Sequence, residues 1–162
     1  MLVGVIADTH MAGGRRTLPQ ACVERLAGCD LIVHGGDVMT EEALGAIEAI
    51  GPPVAAVLGN VDAPELRKRL PPELLLELAG GVRLGVVHDA GPRVGRLERM
   101  RKRFPEAHAV VFGHSHLPLH EQAAGFQIFN PGSPTARRRA PTPSMGLARV
   151  QAGGISFELL TL

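Results

Sequence analysis

Seven side chains that could hold metal ions follow apolar stretches, each near the point where the stretch ends. They occur at five places in the chain and are Asp8, His10, Asp37, Asn60, His88, His114 and His116. Histidine and carboxylate groups bind zinc, manganese, iron and nickel, and an asparagine carbonyl suits harder ions. No cysteine belongs to the set, which argues against a thiolate structural zinc site. Seven ligands are too many for one tetrahedral ion and suit two ions that share a bridging carboxylate.

Each place taken alone has an ordinary structural explanation. Asp8 could accept hydrogen bonds in a turn, the pair Gly59 and Asn60 is typical of turns, and a histidine at a strand end is more often structural than a ligand. Their joint occurrence, in order, at five strand ends favours a metal site. Two-metal sites clamp the attacking and leaving oxygens of in-line phosphoryl displacement. We therefore expect phosphoryl chemistry at this site.

The elements that must position these residues can be predicted from the apolar pattern. In the first sixty residues, three buried strands alternate with two helices, at residues 2–7, 18–27, 31–37, 40–50 and 54–60. This alternation predicts parallel strands joined by helical crossovers. In open α/β sheets, ligands bind beyond the carboxyl ends of the strands, where the polar residues stand here. Glycines directly before three of them, Gly36, Gly59 and Gly113, would allow close backbone approach.

The second half of the chain has a different pattern. Two strands flank a turn at Ala79–Gly81, a helix is predicted over 94–104 with Val94, Leu97 and Met100 facing inward, and a buried strand ends at His114. Two further hairpins are predicted over 119–130 and 145–162. The predicted fold is therefore mixed α/β, and two sheets packed face to face with outer helices would bury both sets of strands.

Length and composition limit the remaining possibilities. A chain of 162 residues predicts one domain, over 1–162, and the net charge of +1 implies no bulk polyelectrolyte partner. Cys22 and Cys29 lie seven residues apart and are expected to be small core residues or free thiols, as in a reducing compartment. We see no secretory signal and no apolar run that could span a bilayer, so we expect a cytoplasmic protein without membrane contact.

The motifs "DTH", "GGD", "GN", "VVH" and "GHSH" together resemble those of the calcineurin-like metallophosphoesterases. The short length and the stretches "GNVD" and "FNPGS" are similar to the small phosphodiesterase branch of that family. This branch includes bacterial and archaeal enzymes and the vacuolar sorting scaffold subunit of the retromer. The resemblance covers residues 2–162, and it implies a four-layer αββα sandwich in which two mixed β-sheets are flanked by helices.

The resemblance also implies a ligand set for each of two divalent ions. The first ion would take Asp8, His10, Asp37 and His116, and the second would take Asp37, Asn60, His88 and His114. Manganese is the expected metal, with iron, nickel, zinc or cobalt as alternatives. The implied activity is hydrolysis of a small phosphodiester or nucleotide by in-line attack of a metal-bridging hydroxide. We expect catalytic roles for Asp37, Asn60 and His88.

Two positions depart from the pattern of many relatives. Val61 stands where a histidine could protonate the leaving oxygen, which puts cleavage of esters with poor leaving groups in doubt. Asp89 stands where glycine is common, and it could orient His88 or cap the turn before Gly91; we favour the cap. The alternative to an enzyme is a non-catalytic, metal-binding interaction scaffold on the same fold. A phosphomonoesterase is the weaker third interpretation, because such chains generally keep the histidine.

Several other polar residues have structural interpretations. His34 is expected to be a hydrogen-bonded core residue, and Asp62 to bind nearby backbone and shape the Asn60 loop. Asn130 and Ser133 could form a turn or reach the rim of the site. The arginine run 137–139 could attract phosphate, whereas the basic helix over 93–103 is expected to present a solvated face. No aromatic residues are interleaved with these basic runs, so nucleic acid is a possible but unsupported partner. A homo-oligomer is equally open.

Overall fold

A computed structural model describes residues 1–14 and 16–162, and within them ten strands and three α-helices form the fold. The elements in chain order are β1 (Leu2–Ile6), α1 (Gln20–Ala27), β2 (Leu31–His34), α2 (Glu41–Glu48), β3 (Val54–Ala56), β4 (Glu73–Glu77), β5 (Arg83–Val87), α3 (Arg96–Arg103), β6 (Ala109–Val111), β7 (Leu119–Ala123), β8 (Phe126–Asn130), β9 (Ser144–Gln151) and β10 (Gly154–Thr161). Short 3-10 turns lie at Pro64–Lys68 and Ala79–Gly81.

The first sheet has the strand order β10-β9-β1-β2-β3. Strands β1, β2 and β3 are parallel, with Val5 opposite Val33 and Val33 opposite Ala55, and helices α1 and α2 make the crossovers. This confirms the predicted alternation of the first sixty residues. The carboxyl ends of three parallel strands share one edge of the sheet, so the segments that follow them start close together. The β9–β10 hairpin extends the sheet antiparallel to β1.

The second sheet has the strand order β4-β5-β6-β8-β7. Its central strands β5, β6 and β8 are parallel, and the hairpins β4–β5 and β7–β8 add antiparallel edges. The parallel pairing of β5 with β6 sets Val86 opposite Val111, so His88 and Gly113 follow at neighbouring strand ends. Both sheets are therefore mixed, as the family resemblance implies, whereas the hairpin pattern of the second half did not indicate the parallel pairing of β5, β6 and β8.

Three apolar clusters show how the layers pack. Residues of α1 and α2, such as Leu26 and Leu44, pack with Ile6 and Ile32 on the outer face of the first sheet. The inner faces of the two sheets meet through a second cluster, which includes Val5 and Val33 from one sheet and Leu84, Val86 and Val111 from the other. Helix α3 covers the outer face of the second sheet through Met100, which packs in a cluster with Val110 and Ile128. The four-layer αββα sandwich is confirmed.

The ends of two helices show where the predicted boundaries succeed and fail. Thr40 caps α2 as expected, because its hydroxyl accepts a hydrogen bond from the Ala43 amide at 3.2 Å. The prediction that Val94 faces inward on α3 is wrong, since this side chain is 88% exposed. The physical reason is Gly95, whose left-handed φ of +69° lets the helix begin only at Arg96.

Within the described residues, no helix has the length and apolar character needed to cross a bilayer.

Candidate metal centre

The structure brings the first predicted ligand set together. The Nε2 atoms of His10 and His116 lie 3.2 Å apart, and His116 Nε2 lies 3.6 Å from Asp8 Oδ1. One ligand atom from each of these three residues falls within 4.8 Å of the other two. Asp8 and His116 are fully buried, and His10 is partly exposed. Three groups from the ends of β1 and β6 thus converge on one small volume.

The second predicted set converges in the same way. Asn60 Oδ1 lies 3.0 Å from both His88 Nε2 and His114 Nδ1, and these two nitrogens are 3.3 Å apart. Asn60 and His114 are exposed, whereas His88 is buried. Three loops that are distant in the sequence therefore supply three donor atoms that surround a common point near the surface.

Asp37 lies between the two sets. Its Oδ2 atom is 3.4 Å from His10 Nε2 and 3.5 Å from His88 Nε2, so one carboxylate oxygen borders both groups. Its other oxygen, Oδ1, accepts a hydrogen bond from the Val61 amide at 3.1 Å. A carboxylate at this position could contact a cation held by either set, and the residue is 2% exposed.

Hydrogen bonds fix which ring nitrogens of two histidines can bind a cation. His88 Nδ1 faces the carbonyl oxygen of Gly35 at 2.8 Å, and His116 Nδ1 faces the carbonyl oxygen of Ala136. A carbonyl oxygen can only accept, so each Nδ1 carries the proton and each neutral ring presents a lone pair at Nε2. Such backbone partners are typical of metal-binding histidines, because they set the tautomer and the ring orientation.

The donor set fits divalent cations. His88 Nε2 faces the acceptors Asp37 Oδ2 and Asn60 Oδ1, which either a proton on this nitrogen or a cation bound between the three groups would satisfy. The Oδ2 atom of Asp8 is buried and has no hydrogen-bond partner within residues 1–14 and 16–162. Burial raises the pKa of Asp8 to about 7 despite the opposing charge of His88. A bound cation would satisfy this carboxylate and stabilise its ionised form.

The other predicted ligands also have shifted pKa values. Burial lowers the pKa of His116 to about 4 and also lowers that of His10, which the positive charges of Arg138 and Arg16 lower further. Burial alone would raise the pKa of Asp37, but hydrogen bonding and charge from His88 lower it to about 2. Burial lowers the pKa of His88, and Asp37 outweighs this effect and raises it. These groups therefore favour neutral histidine at His10 and His116 beside an ionised Asp37.

Comparison with known proteins gives the family. Residues 1–153 match the calcineurin-like phosphoesterase superfamily domain. The chain belongs to this superfamily. It is 35% identical over 141 residues to a probable metallophosphoesterase of Methanocaldococcus jannaschii, which covers 85% of this chain and 70% of the relative. The resemblance predicted from the motifs is confirmed, and with it the assignment of the chain as a phosphoesterase that binds divalent metal.

Two solved structures share the fold at low sequence identity. Vps29 of Entamoeba histolytica, in its complex with Zn²⁺, superposes with a TM-score of 0.79 at 21% identity and covers 99% of each chain. A protein described as a novel archaeal phosphodiesterase has a TM-score of 0.75 at 18% identity, covering 99% of this chain and 100% of its own. At these identities, the two comparisons show a shared fold and nothing further about this phosphoesterase.

Five of the seven predicted ligands have a left-handed backbone, which is uncommon for residues other than glycine. The φ angles are +56° at Asp8, +45° at His10, +60° at Asp37, +69° at His114 and +58° at His116. Each such residue costs on the order of 1–3 kcal/mol and persists only where the surroundings impose it. In this phosphoesterase the cost is concentrated where the strand ends turn their side chains toward one point.

Two of the glycines that precede ligands have a steric role. A Cβ atom on Gly59 would lie 2.0 Å from Asp37 Oδ1, and one on Gly36 would lie 2.6 Å from His88 Nδ1. Either atom would displace a predicted ligand. The expectation that glycine permits close approach here is therefore confirmed at both positions.

Asp62 and His34 have the supporting roles that the sequence predicts. The Asp62 carboxylate accepts hydrogen bonds from the amides of Met39 and Gly59, each at 2.7 Å, and so joins the loop of Asp37 to the loop of Asn60. His34 is fully buried, and its Nδ1 accepts from the Gly36 amide at 3.1 Å while Nε2 lies 3.1 Å from the Thr9 hydroxyl. Burial lowers the pKa of His34 to about 3, so this ring is a neutral structural element.

Asn130 and Ser133 hold the site in a way that the sequence left open. Asn130 is fully buried and donates from Nδ2 to the carbonyl oxygen of Gly113 at 2.8 Å. The Ser133 hydroxyl donates to the carbonyl oxygen of Asp8 at 2.8 Å and accepts from the Ala136 amide. Both residues thereby fasten the loop after β8 to the strand ends that carry ligands. The "NPGS" stretch was their signal, but it did not distinguish an ordinary turn from this support.

The remaining polar residues lie outside the two ligand sets. Asp89 accepts a hydrogen bond from the Gly91 amide at 2.7 Å, which confirms the predicted turn cap. On α3, Arg96 and Arg99 bind backbone carbonyls at Gly91 and Ala90, and Arg103 pairs with Glu73, so this basic face stabilises the fold. Cys22 and Cys29 are buried free thiols, as expected.

Proposed function

We propose that this chain is a two-metal phosphodiesterase with Asp37 as the bridging ligand. The observation that carries the proposal is the pair of donor sets on either side of Asp37 Oδ2, which lies 3.4 Å from His10 and 3.5 Å from His88. The orphaned Asp8 oxygen supports a cation on the side of His10 and His116. The family match supports the phosphoesterase class. We propose Mn²⁺ as the preferred metal.

In this reaction, the residues of the chain hold the metal ions and orient the ligand side chains. When bound, two divalent ions lower the pKa of a water molecule and neutralise charge on the non-bridging oxygens of a phosphoester. Asp37 keeps its negative charge at neutral pH, since His88 holds its pKa at about 2. The backbone hydrogen bonds of His88 and His116 direct both Nε2 atoms inward, so that the ligand geometry exists before substrate binds.

The substrate would approach from the side of Asn60 and His114. Both residues are exposed, whereas Asp8 and His116 are fully buried. The open pair therefore gives a phosphoester a route from solvent to the two sets. We assign Asn60 and His88 to orienting the substrate phosphate, in keeping with their place beside Asp37.

Val61 determines which leaving groups this site would tolerate. It follows Asn60 directly and is 40% exposed, so it borders the open side. A valine side chain has no proton to give, and general acid catalysis by a positioned histidine contributes about 100- to 10,000-fold. We therefore propose a preference for diesters that release a stable anion, such as a nitrophenolate. The phosphodiesterase description of one structural neighbour favours diesters over monoesters as substrates.

Hydrolysis of bis(4-nitrophenyl) phosphate tests the proposal. Metal-stripped protein should be inactive, and Mn²⁺ should restore turnover. Asp37→Ala should reduce kcat by about 1,000-fold or more, because it removes the ligand common to both sets. Asp89→Asn is the matched control, since Asp89 lies outside both sets and an asparagine can still accept from Gly91.

Full activity in the metal-stripped protein or in Asp37→Ala would contradict a metal-dependent mechanism in which Asp37 is the shared ligand. An inactive protein that nevertheless binds two ions would instead favour the interaction scaffold.

A further inference from the structure

A pocket rich in arginine adjoins the first ligand set. It has a volume of about 420 Å³ and is lined by His10, Arg16, Thr135, Ala136, Arg137 and Arg138. This volume falls within the range of about 300–1,000 Å³ that is typical of small-ligand pockets. A second cavity shares His10 and Arg16 with it, so the space continues along the rim of the site.

The pocket has an uncompensated positive charge. Among the described residues, three guanidinium groups and no carboxylate line it, and none of these three arginines forms an ion pair. Arg137 donates to the carbonyl oxygen of Ala140 at 2.7 Å, which holds its side chain in place. Guanidinium groups match phosphate oxygens in geometry and charge. The chemistry of the pocket therefore suits an anion of the phosphate type.

The loop that carries two of these arginines is fastened to the metal centre. Ser133 donates to the carbonyl oxygen of Asp8, and Thr135 donates to that of Thr9. Ala136 accepts from His116 Nδ1, so the residue before Arg137 contacts a predicted ligand. Arg138 itself has a left-handed φ of +47°. The position of the loop that carries Arg137 and Arg138 is thus fixed by the same contacts that position Asp8 and His116.

The pocket lies beside the cluster and not at its centre. Of the seven predicted ligands, all of which the structure describes, His10 alone lines it. Asp37, which borders both sets, does not. A phosphate held between the two sets would leave this pocket free for another group.

We propose that the pocket formed by Arg16, Arg137 and Arg138 binds a second phosphate group of the substrate. The substrate would be a phosphodiester that carries a further phosphate group. This inference rests on the proposed phosphodiesterase function and narrows its substrate class. Its basis is the juxtaposition of a pocket with three arginines and the edge of a two-metal site.

Two matched substrates test the proposal. Thymidine 5′-(4-nitrophenyl phosphate) and its 3′-phosphorylated form release the same nitrophenolate and differ only in the second phosphate. With Mn²⁺-loaded protein, kcat/KM should be about tenfold higher for the 3′-phosphorylated substrate, as expected for one charge-assisted contact. In the double variant Arg16→Ala/Arg138→Ala, the ratio of the two kcat/KM values should fall to about one. The preference should persist in Arg139→Ala, because Arg139 does not line the pocket although it is as exposed as the three arginines that do.

A preference that survives in the double variant would overturn the proposal. Equal losses on both substrates would also overturn it, because they would place the arginines on the scissile phosphate, and the phosphodiesterase function would stand. Binding of thymidine 3′,5′-bisphosphate to metal-free protein, measured by calorimetry, separates the two proposals if no substrate is hydrolysed. Binding that weakens about tenfold in the double variant but not in Arg139→Ala would support the pocket, and the absence of binding would reject it.

Discussion

The two halves of the metal centre are positioned in different ways. Asp8 and His116 of the first set are fully buried, and the loop around Ser133 fastens them through several hydrogen bonds. In the second set, Asn60 and His114 are exposed. There, the loop of Asn60 is joined to that of Asp37 through the carboxylate of Asp62, which accepts from both loops, and through the hydrogen bond from the Val61 amide to Asp37. The first half is thus more deeply buried, and the second is open to solvent on the side of Asn60 and His114.

This difference indicates a division of labour. A buried ligand pair with an unsatisfied carboxylate oxygen is costly without a cation, so metal binding there is coupled to folding stability. An exposed pair costs little to leave empty and gives a substrate room to enter. We infer that the first half mainly retains metal and the second half mainly receives substrate.

The largest effect on stability should appear when one histidine of the buried half is replaced, in comparison with one histidine of the open half. His116→Ala should lower the free energy of unfolding by about 3 kcal/mol, because it leaves a buried cavity and an unpaired Ala136 carbonyl. His114→Ala should change it by about 0.5 kcal/mol or less, since the side chain is exposed. Urea unfolding of the metal-free variants measures both. Equal losses of stability would remove the distinction between the halves.

Asp62→Asn should have the next largest effect. Both oxygens of Asp62 accept an amide hydrogen bond at 2.7 Å, and an asparagine can accept only one of the two. We expect a loss of about 2 kcal/mol in stability. Asp89→Asn is the control, because its one bond to Gly91 can be kept. If Asp62→Asn unfolds at the same urea concentration as the wild type, Asp62 does not hold the open half together.

The smallest predicted effect is the dependence of metal affinity on pH. Asp8 has a pKa of about 7 without metal, so at pH 6 it is mostly protonated and a cation must displace the proton. Affinity should therefore be about tenfold weaker at pH 6 than at pH 8 from this group alone. The carboxyl carbon of Asp8 should titrate near pH 7 by NMR in metal-free protein and lose that transition on metal binding. Titration near pH 4 would show that burial does not destabilise the ionised Asp8 carboxylate in the metal-free protein.

Much of the molecule could be predicted from the sequence because the relevant signals are local. Apolar stretches such as 31–34 gave the strands, Thr40 marked the start of α2, and polar residues at strand ends pointed to the site. The roles assigned to the seven ligands stay predictions. Left-handed backbone at Asp8 and His114 could not be predicted, because it is imposed by contacts between distant loops. The same holds for the Ser133 contact with Asp8, which joins residues 125 positions apart.

Metal content tests the central claim most directly. Protein purified without chelator and analysed by inductively coupled plasma mass spectrometry should contain two divalent transition ions per chain. In Asp37→Ala, which lacks the shared ligand, the content should fall below one, and in His114→Ala it should fall to about one, retained by the buried half. Two ions in Asp37→Ala, or none in the wild type, would contradict a two-metal centre bridged by Asp37.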